Sequence, residues 1–380
     1  MLKNWPSENL FWWSCFPDKD ARFGQKVAGH RHASIPSKLY PRVRWSALKS
    51  QLLEHVWAPW AGWHLNKTVA EFSPDVLWII PHDWSIVPIH QVVCKSGLRY
   101  HVSMHDYVDV HDNPVRFGKQ SCRLLARKAD EIYSGALTTD AICREMAEDL
   151  EKRTGKSTNA IIRYGAEPTA LAEIAAQSFQ PPQSEIHIAY AGSILVEKEF
   201  ALFVDALRRI RATNDKPIRL HLFGANPVTA KPWFDAEWMR FEGNLPEAEL
   251  RQKLRACHWG FSPMALTDAD PRYNRFSFPT KFIAYLAAGL PVITLAHPES
   301  SVMRMASRYE VGVATSAADA DTLATQLKGI LVGSDSREQY RAEILRCTTK
   351  EFDAKRMRER LCACFEQCAS GHGFSDDFGG

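Results

Sequence analysis

The stretch Ser277-Phe-Pro-Thr-Lys-Phe-Ile-Ala-Tyr-Leu-Ala-Ala-Gly-Leu-Pro-Val-Ile293 decides the fold. A proline near the first position favours a helix from Pro279 to Ala288, and Gly289 is the residue type that ends a helix. The apolar run that follows, Pro291 to Leu295, is typical of a short buried strand. A helix that returns through a glycine turn to an apolar strand is the unit from which parallel α/β sheets are built.

The same alternation of short apolar runs and helical stretches extends in both directions from this unit. The C-terminal half is predicted to hold strands at 186–191, 218–223, 258–261, 291–295 and 311–314. The N-terminal half is predicted to hold strands at 75–80, 98–104, 131–134 and 159–163. The sequence therefore predicts an α/β protein with two Rossmann-like, doubly wound domains that face a cleft.

A chain of 380 residues is long enough for about two domains. We expect an N-terminal domain at 1–168, a C-terminal domain at 186–350, and a helix at 351–380 that crosses back and continues as a tail. The segment 168–185 contains three prolines and is predicted to be a linker. No first strand or glycine-rich loop is recognisable before residue 75, and 2–6 resembles the tail of a first helix. Either the coding start lies upstream of Met1, or the domain has been shortened by one βα unit.

The composition argues against several classes of protein. Charged residues make up 24% and hydrophobic residues 45% of the chain, which is ordinary globular usage and excludes global disorder. A formal net charge of +3, without basic blocks, argues against nucleic acid as the main partner. The nine cysteines lack a C-x-x-C pattern and predict free thiols. With no secretory signal, these features predict a cytoplasmic protein, and a peripheral contact with the inner face of the membrane stays open.

Two segments predict an anion site. The free N–H groups of the first helical turn after Pro279 and the ammonium of Lys281 can converge on a phosphate or diphosphate. Gly192 follows the strand 186–191, and Lys198 stands at the mouth of the next helix, so both could hold the other side of the same phosphates. In the alternative interpretation, Lys281 is a solvated first-turn lysine and Gly192 belongs to an ordinary βα turn.

The run 277–293 resembles the donor-binding helix, glycine turn and strand of the GT-B glycosyltransferases, in particular the large retaining family called group 1. Further landmarks in the family's order are 191–198, 222–224, 241–246 and 262–263. The resemblance is strong over 186–315. It is weaker over 75–167, where His105-Asp106 and 161–165 match, and faint before residue 75.

The resemblance implies a metal-independent hexosyltransferase that moves a sugar from a nucleotide-diphosphate donor to a glycan or lipid-linked acceptor in surface polysaccharide biosynthesis. The donor would bind the C-terminal domain and the acceptor the N-terminal one. Lys198 and Lys281 would neutralise the leaving diphosphate, because fixed cations stabilise its developing charge. The expected donor-binding residues are Gly192, Ser193, Lys198, Gly224, Leu245, Pro279, Thr280 and Lys281. Thr280 would donate to the diphosphate, and the backbone near Leu245 would touch the base. His105 and Asp106 would be catalytic, and no cofactor beyond the co-substrate is expected.

The sequence also departs from the family. Its Glu-x7-Glu motif would fall at Phe276 and Ala284, so both acidic positions are absent, and the arginine usual after the glycine is Ser193. A catalytically inactive relative that binds a nucleotide sugar or a partner protein is therefore the alternative. A sugar-phosphate epimerase of similar fold is a third hypothesis, and it predicts conversion of the donor sugar without an acceptor.

Other clusters leave metal binding as a minor alternative. Asp268-Ala-Asp270 matches a D-x-D, and Asp268 or Asp270 could instead supply a carboxylate near the donor sugar. The run 105–112 could be a metal cluster or a polar loop after a strand. Cys362, Cys364 and Cys368 are expected to be partly buried thiols.

The tryptophans are distributed unevenly, because nine of the 12 lie before residue 85. Amphipathic aromatic side chains with basic neighbours Arg42, Arg44 and Lys49 suit a membrane interface or a lipid-linked acceptor. The alternative is that they form core and cleft walls. The tryptophans in question are Trp5, Trp12, Trp13, Trp45, Trp57, Trp60 and Trp63.

Overall fold

A computed structural model of the chain divides into two compact units. The first contains Met1–Ile162 and Arg358–Gly380, and the second contains Arg163–Met357. The structure describes residues 2, 5–16, 27–40, 45–109, 117–176, 182, 184–267, 271–331 and 336–371. Within them, no helix has the combination of length and hydropathy that is needed to cross a bilayer.

The first unit contains two parallel sheets. In the smaller sheet, β1 (Phe11–Ser14) pairs with β2 (Gly29–His32). The larger sheet has the order β3 (Leu77–Ile79), β4 (Tyr100–Met104), β5 (Thr138–Ala141) and β6 (Ala160–Ile161). The α-helices of the first unit that precede β6 are α1 (Ser46–Leu52), α2 (Ala58–Phe72), α3 (Ile86–Ser96), α4 (Lys119–Gly135) and α5 (Arg144–Thr154). A π-helical turn, Leu53–Trp57, joins α1 to α2. Successive parallel strands joined by helices confirm the predicted α/β class.

Two expectations for the first unit are wrong. The segment 131–134 is not a strand but the end of α4, because Cys122, Leu125, Ala129 and Ile132 recur at helical spacing and form its buried face. The segment 2–6 is not a helix tail where it is described, since Trp5 and Pro6 precede a short 3₁₀ turn. The strands β1 and β2 were not predicted, because each is only four residues long and neither alternates clearly.

The second unit is built around one parallel sheet. Its described strands are β7 (Ile186–Ala191), β8 (Ile218–Phe223), β9 (Met239–Gly243), β10 (Trp259–Pro263), β11 (Val292–Leu295) and β12 (Gly312–Thr315). They lie in the order β12-β11-β10-β7-β8-β9. The chain therefore runs outward from β7 to β9 and then resumes on the other side of β7 with β10. Ligands of open α/β sheets bind at such a switch point, outside the carboxyl ends of the strands.

Helices connect these strands and cover the sheet. They are α6 (Pro168–Ala175), α7 (Glu197–Arg211), α8 (Glu247–Arg255), α9 (Pro271–Phe276), α10 (Thr280–Ala287), α11 (Ser301–Tyr309), α12 (Ala320–Leu331) and α13 (Ser336–Glu351). The predicted apolar face of α7 is confirmed, because Phe200, Phe203 and Leu207 are fully buried. Phe203 stacks on Phe261 of β10 with ring centroids 3.7 Å apart.

The expected linker at 168–185 is wrong over its first half. Pro168 occupies the first turn of α6, where its missing N–H breaks no helical hydrogen bond. Ile174 is buried and lies close to Gly289, so α6 packs within the second unit.

The last described helix, α14 (Ala354–Ser370), belongs to the first unit from Arg358 onward. The Phe365 ring makes T-shaped contacts with Trp78 and His101, and the Thr138 hydroxyl donates to the Cys364 carbonyl at 3.0 Å. Cys364 is buried, and burial raises the pKa of its thiol to about 12. Such a thiol is unreactive near neutral pH.

Candidate functional site

The candidate site begins where β7 ends, at Gly192. Gly192 has a φ of +107°, in the left-handed region that favours glycine. Its N–H donates to the Phe223 carbonyl at 2.7 Å, and the N–H of Gly224 donates to the Gly243 carbonyl at 2.9 Å. A Cβ atom on Gly224 would lie 2.9 Å from the Gly192 carbonyl oxygen. Glycines therefore allow the carboxyl ends of β7, β8 and β9 to approach closely.

A cavity of about 320 Å³ opens at these strand ends. This volume lies within the range of small-molecule sites, roughly 300–1,000 Å³. The predicted residues Gly192, Ser193 and Gly224 line it. The wall also includes Tyr190, Ile194, Glu197, Asn226, Lys231 and Phe241.

Lys281 reaches this loop from the start of α10. Its Nζ donates to the Tyr190 hydroxyl at 2.7 Å and to the Ser193 carbonyl at 3.5 Å, and the Tyr190 hydroxyl donates to the same carbonyl at 2.7 Å. The ammonium also lies 4.3 Å from the centroid of the Tyr190 ring. Burial lowers the pKa of Lys281 to about 8, because the charged form is partly removed from water. The interpretation as a solvated surface lysine is therefore wrong.

The α10 helix is fixed to the sheet one turn after Lys281. The Tyr285 hydroxyl accepts the N–H of Ala191 at 2.8 Å and donates to the Phe261 carbonyl at 3.1 Å. Lys281 and Tyr285 are four residues apart, so they share one face of the helix. Tyr285 thus sets the end of β7 immediately before Gly192, while Lys281 covers the loop that follows.

The residues before α10 are also anchored. Phe278 is buried, and its ring meets Phe282 edge-on, with centroids 5.7 Å apart. The Arg163 guanidinium lies 4.9 Å from the Phe278 ring centroid and 3.4 Å from a Glu351 carboxylate oxygen. The first turn of α10 therefore has a defined position in the second unit.

The loop after Gly192 offers backbone donors beside the Lys281 ammonium. Among the described residues, the N–H groups of Ser193 and Ile194 have no backbone acceptor. Together they provide the kind of cationic, donor-rich environment that binds phosphate oxygens.

An ion pair also lines the cavity. Lys231 Nζ lies 2.9 Å from both carboxylate oxygens of Glu197, and the Trp233 indole donates to Glu197 at 3.4 Å. The hydrogen bond from Lys231 lowers the pKa of Glu197. This pair could not be predicted from the sequence, because Lys231 lies in an irregular segment without any motif.

Lys281 and four further predicted donor residues lie outside the lining of this cavity. Lys198 is exposed on the first turn of α7, and Thr280 is exposed at the start of α10. Pro279 caps α10, and Leu245 lies half-buried between β9 and α8. Their roles in donor binding remain predictions.

The predicted catalytic residues lie in the first unit, directly after β4. His105 is half-buried, and its ring makes no hydrogen bond to the described residues. Asp106 is exposed and borders a void of only about 10 Å³. That volume corresponds to a single water molecule and is too small for a sugar. The catalytic assignment of His105 and Asp106 therefore rests on the family resemblance.

The two positions of the family's Glu-x7-Glu motif hold apolar residues in the structure. Phe276 is buried at the end of α9, and Ala284 lies within α10, so neither position offers a carboxylate. Asp268 and Asp270 lie outside the described residues. No group of three or more His, Cys, Asp or Glu side chains in the described part of the chain is arranged to hold a metal ion.

Part of the sequence matches a known protein family. The model of the family described as glycosyl transferases group 1 matches residues 185–343, which contain the Gly192 loop, the cavity and Lys281. Residues 185–343 belong to the group 1 glycosyltransferases. No curated protein sequence matches the chain.

Solved structures resemble the chain over most of its length. Sucrose-phosphate synthase from Thermosynechococcus elongatus is 14% identical, with a TM-score of 0.63 over 85% of this chain and 80% of that chain. An α,α-trehalose 6-phosphate synthase from Burkholderia multivorans is 12% identical, with a TM-score of 0.57 over 96% and 99% of the two chains. A glycosyltransferase from Rickettsia africae is 10% identical, with a TM-score of 0.58 over 90% and 86%. At these identities, the likeness establishes the GT-B fold, with its two Rossmann-like domains.

The match to this family supports sugar transfer as the reaction of residues 185–343. In that context, the Gly192 loop and Lys281 occupy the carboxyl edge of the sheet, beside the switch between β7 and β10.

Proposed function

We propose that the chain is a glycosyltransferase that takes its sugar from a nucleotide-diphosphate donor and delivers it to a glycan or a lipid-linked acceptor, without a metal ion. The observation that carries this proposal is the partly buried Lys281 ammonium, held 2.7 Å from the Tyr190 hydroxyl above the Gly192 loop. The diphosphate would bind this ammonium and the N–H groups of Ser193 and Ile194. The base would occupy the adjacent cavity, which has the apolar side chains of Ile194 and Phe241 in its wall.

Lys281 suits the chemistry of the leaving group. As the bond between the anomeric carbon and the diphosphate oxygen breaks, its electron pair stays on the diphosphate, whose negative charge increases. A fixed cation stabilises this charge more in the transition state than in the bound donor, which is the requirement for catalysis. Because Lys281 is held by Tyr190, little reorganisation is needed when the charge develops.

The acceptor needs a base in the same reaction. Its hydroxyl oxygen forms the new bond to the anomeric carbon, and its proton must leave. We assign this proton to His105 or Asp106, because neutral imidazole and carboxylate are the side chains that accept protons near neutral pH. A role in surface polysaccharide assembly inside the cytoplasm is the cellular context that we propose.

The alternative, a non-catalytic nucleotide-sugar-binding protein, is favoured by one observation. Phe276 and Ala284 replace the acidic pair of the family, and Phe276 is buried as part of the core. In that case, the Lys281 site would bind donors without turnover.

A panel of nucleotide-diphosphate sugars distinguishes these functions. The purified chain is incubated with each donor and with glycan or lipid-linked acceptors, with and without a chelator, and released nucleoside diphosphate is measured together with binding. We expect acceptor-dependent release that a chelator does not reduce. Donor binding without release on any acceptor would contradict transfer, and conversion of the donor sugar without an acceptor would identify an epimerase.

A further inference from the structure

The helical run from Trp45 to Trp63 exposes a continuous apolar face. The side chains on it are Trp45, Leu48, Leu52, Val56, Trp60 and Trp63, and we call this set the Trp45–Trp63 face. Trp45 is 67% exposed, Trp60 48% and Trp63 60%. At 1.5 Å per helical residue, the face is about 27 Å long. An exposed apolar patch of this extent is typical of an interaction surface.

The opposite side of the same helices is packed. Leu53, Trp57, Ala61 and Leu65 are buried, and a Cβ atom on Gly62 would lie 2.9 Å from the Gln91 side chain of α3. The helices therefore already pack against the rest of the first unit through this buried side. The exposed apolar residues form a second, separate face.

The π-helical turn keeps the exposed residues aligned. In a regular α-helix, each step of four residues turns about 40° past a full rotation, so a stripe at Leu48, Leu52, Val56 and Trp60 would wind around the helix. A π-helical turn has more residues per turn and reverses part of this drift. Its position at Leu53–Trp57 lies in the middle of the stripe.

Trp45 begins the face in an unfavourable backbone conformation. Its φ is 64° and its ψ is 25°, in the left-handed region that bulky side chains rarely adopt. This costs about 1–2 kcal/mol. The cost is not offset by burial of the indole, so the exposed position of this side chain points to a role outside the core.

The sequence segment that contains the face has a positive net charge, to which Arg42 and Arg44, outside the described residues, contribute. From Lys38 to Phe72, the sequence has five Lys and Arg residues and two Glu, a net charge of +3, which equals the formal net charge of the whole chain. One of the two acidic residues, Glu71, is paired with Arg31 and lies 3.9 Å from Lys67 Nζ. Lys67 Nζ lies 5.7 Å from the Trp63 ring centroid, at the end of the face.

We propose that the Trp45–Trp63 face binds the surface of a lipid bilayer that contains anionic headgroups. Tryptophan favours the interface between hydrocarbon and water, and a helix with an aromatic and aliphatic face bordered by Lys and Arg lies in that interface. A second copy of the chain fits poorly, because a two-fold interface would place two equally positive segments against each other. The proposal does not depend on sugar transfer.

Vesicle flotation tests the proposal with the full chain. One set of vesicles contains phosphatidylglycerol and phosphatidylethanolamine, and the other contains phosphatidylcholine alone. We expect binding to the anionic vesicles, weaker binding to the neutral ones, and a partial decrease at high salt because only the charge contribution is screened. The triple variant Trp45→Asn, Trp60→Gln, Trp63→Gln should lose at least about tenfold in affinity, since each buried indole contributes substantial apolar area.

Two further variants make the test specific. The double variant Ile80→Gln, Leu137→Gln removes exposed apolar side chains outside the face and should bind anionic vesicles like the wild type. The double variant Lys49→Glu, Lys67→Glu should weaken binding to anionic vesicles only. It also provides an independent test if the triple variant does not fold.

Three results would overturn the proposal. They are no binding of the wild type to anionic vesicles, equal binding of wild type and triple variant, or a dimer that the triple variant dissociates while vesicles remain unbound. Nucleoside-diphosphate binding, measured on the same preparations, should be unchanged in the variants. Loss of that binding would concern the Lys281 site, so the two proposals fail separately.

Discussion

At the scale of single residues, Lys281 carries the functional argument. Its ammonium is held by the Tyr190 hydroxyl and the Ser193 carbonyl, and burial lowers its pKa to about 8. The other predicted lysine, Lys198, is exposed on the first turn of α7. The two lysines should therefore differ in their contribution to diphosphate binding and catalysis.

Replacing Lys281 should weaken the site more than replacing Lys198. We expect Lys281→Ala to reduce affinity for a nucleoside diphosphate by about 10- to 100-fold, as expected for loss of a hydrogen bond to a charged group. Lys198→Ala, on the exposed first turn of α7, should change it by less than about threefold. Titration calorimetry gives both affinities, and kcat/KM gives the matching effect on the transition state. A larger effect of Lys198→Ala would reverse the assignment.

The lowered pKa of Lys281 predicts a pH dependence of binding. With a pKa of about 8, the protonated share of Lys281 in the free protein falls from about nine-tenths at pH 7 to about one-tenth at pH 9. Since a bound diphosphate favours the charged form, affinity should fall about tenfold across this range. Calorimetry from pH 7 to pH 9 measures it.

Lys281→Arg is the matched control, because its guanidinium stays charged throughout this range. Its affinity should be nearly constant from pH 7 to pH 9. An equal decrease for Lys281→Arg would assign the titration to another group.

The sequence identified only part of the site, for reasons visible at individual residues. Gly192 and Lys281 could be predicted because a glycine after an apolar strand and a lysine after a helix-initiating proline are local patterns. Tyr190 and Tyr285 could not, since each resembles an ordinary core aromatic. Their hydroxyls act through partners 91 and 94 positions away in the chain.

At the scale of secondary-structure elements, the contact of α10 with β7 and β10 determines the shape of the site. Tyr285 of α10 bonds the backbone of both strands, and its ring packs against Gly260. A Cβ atom on Gly260 would lie 2.5 Å from the Tyr285 ring, so the close approach requires glycine.

Gly260→Ala should destabilise the second unit by about 1–3 kcal/mol, the usual cost of overpacking a core. Displacement of Tyr285 should also weaken diphosphate binding. Chemical denaturation measures the first effect. Gly329→Ala in α12 is the matched control, because its Cβ would meet no atom within 4 Å and alanine favours helix. A Gly260→Ala protein as stable as the wild type would show that the contact can relax.

Three histidines pack on one face of the same sheet. The rings of His187 and His221 stack, with a 2.8 Å contact between their nitrogens, and His258 Nδ1 accepts the backbone N–H of His187 at 3.0 Å. Burial, with a further contribution from His187, lowers the pKa of His258 to about 4. Protonation of His258 would remove the acceptor for the N–H of His187.

Because the unfolded chain binds a proton at His258 near pH 6.5 and the folded chain does not, stability should decrease as the pH falls from about 6.5 to 4. Allowing for partial exposure of the ring, we expect this residue to contribute on the order of 1–2 kcal/mol of that loss. His258→Asn keeps an acceptor without titrating, so its unfolding free energy should change less over this range. The exposed His55→Asn should behave like the wild type. Equal pH dependence of His258→Asn and wild type would refute the assignment.

Some strands could be predicted from the sequence and others could not, depending on whether their residues are apolar. Strands β7 and β8 were predicted at their observed bounds, because both are apolar runs that end at glycine. The strand at 138–141 was missed because Thr138, Thr139 and Asp140 are polar, although all are buried. His101 bonds Thr138 at 3.0 Å and Asp140 at 2.8 Å, so a tertiary network satisfies these residues.

At the scale of the whole molecule, each unit carries a different part of the proposed function. The second unit holds the Lys281 site within a group 1 glycosyltransferase domain. The first unit holds the Trp45–Trp63 face and the proposed base. Within the first unit, the early tryptophans fall into a buried and an exposed group. Trp57 and Trp84 are buried, whereas Trp12, Trp45, Trp60 and Trp63 are exposed. Hydrophobicity alone could not separate the two groups, because the division depends on which side of each element packs.

The most direct test of the account is a crystal structure of the chain with a nucleoside diphosphate bound. We predict that the phosphates lie within hydrogen-bond distance of Lys281 Nζ and of the N–H groups of Ser193 and Ile194, with the base in the cavity beside Phe241. Phosphates bound elsewhere in the chain, with Lys281 still bonded only to Tyr190 and Ser193, would contradict the proposed donor site.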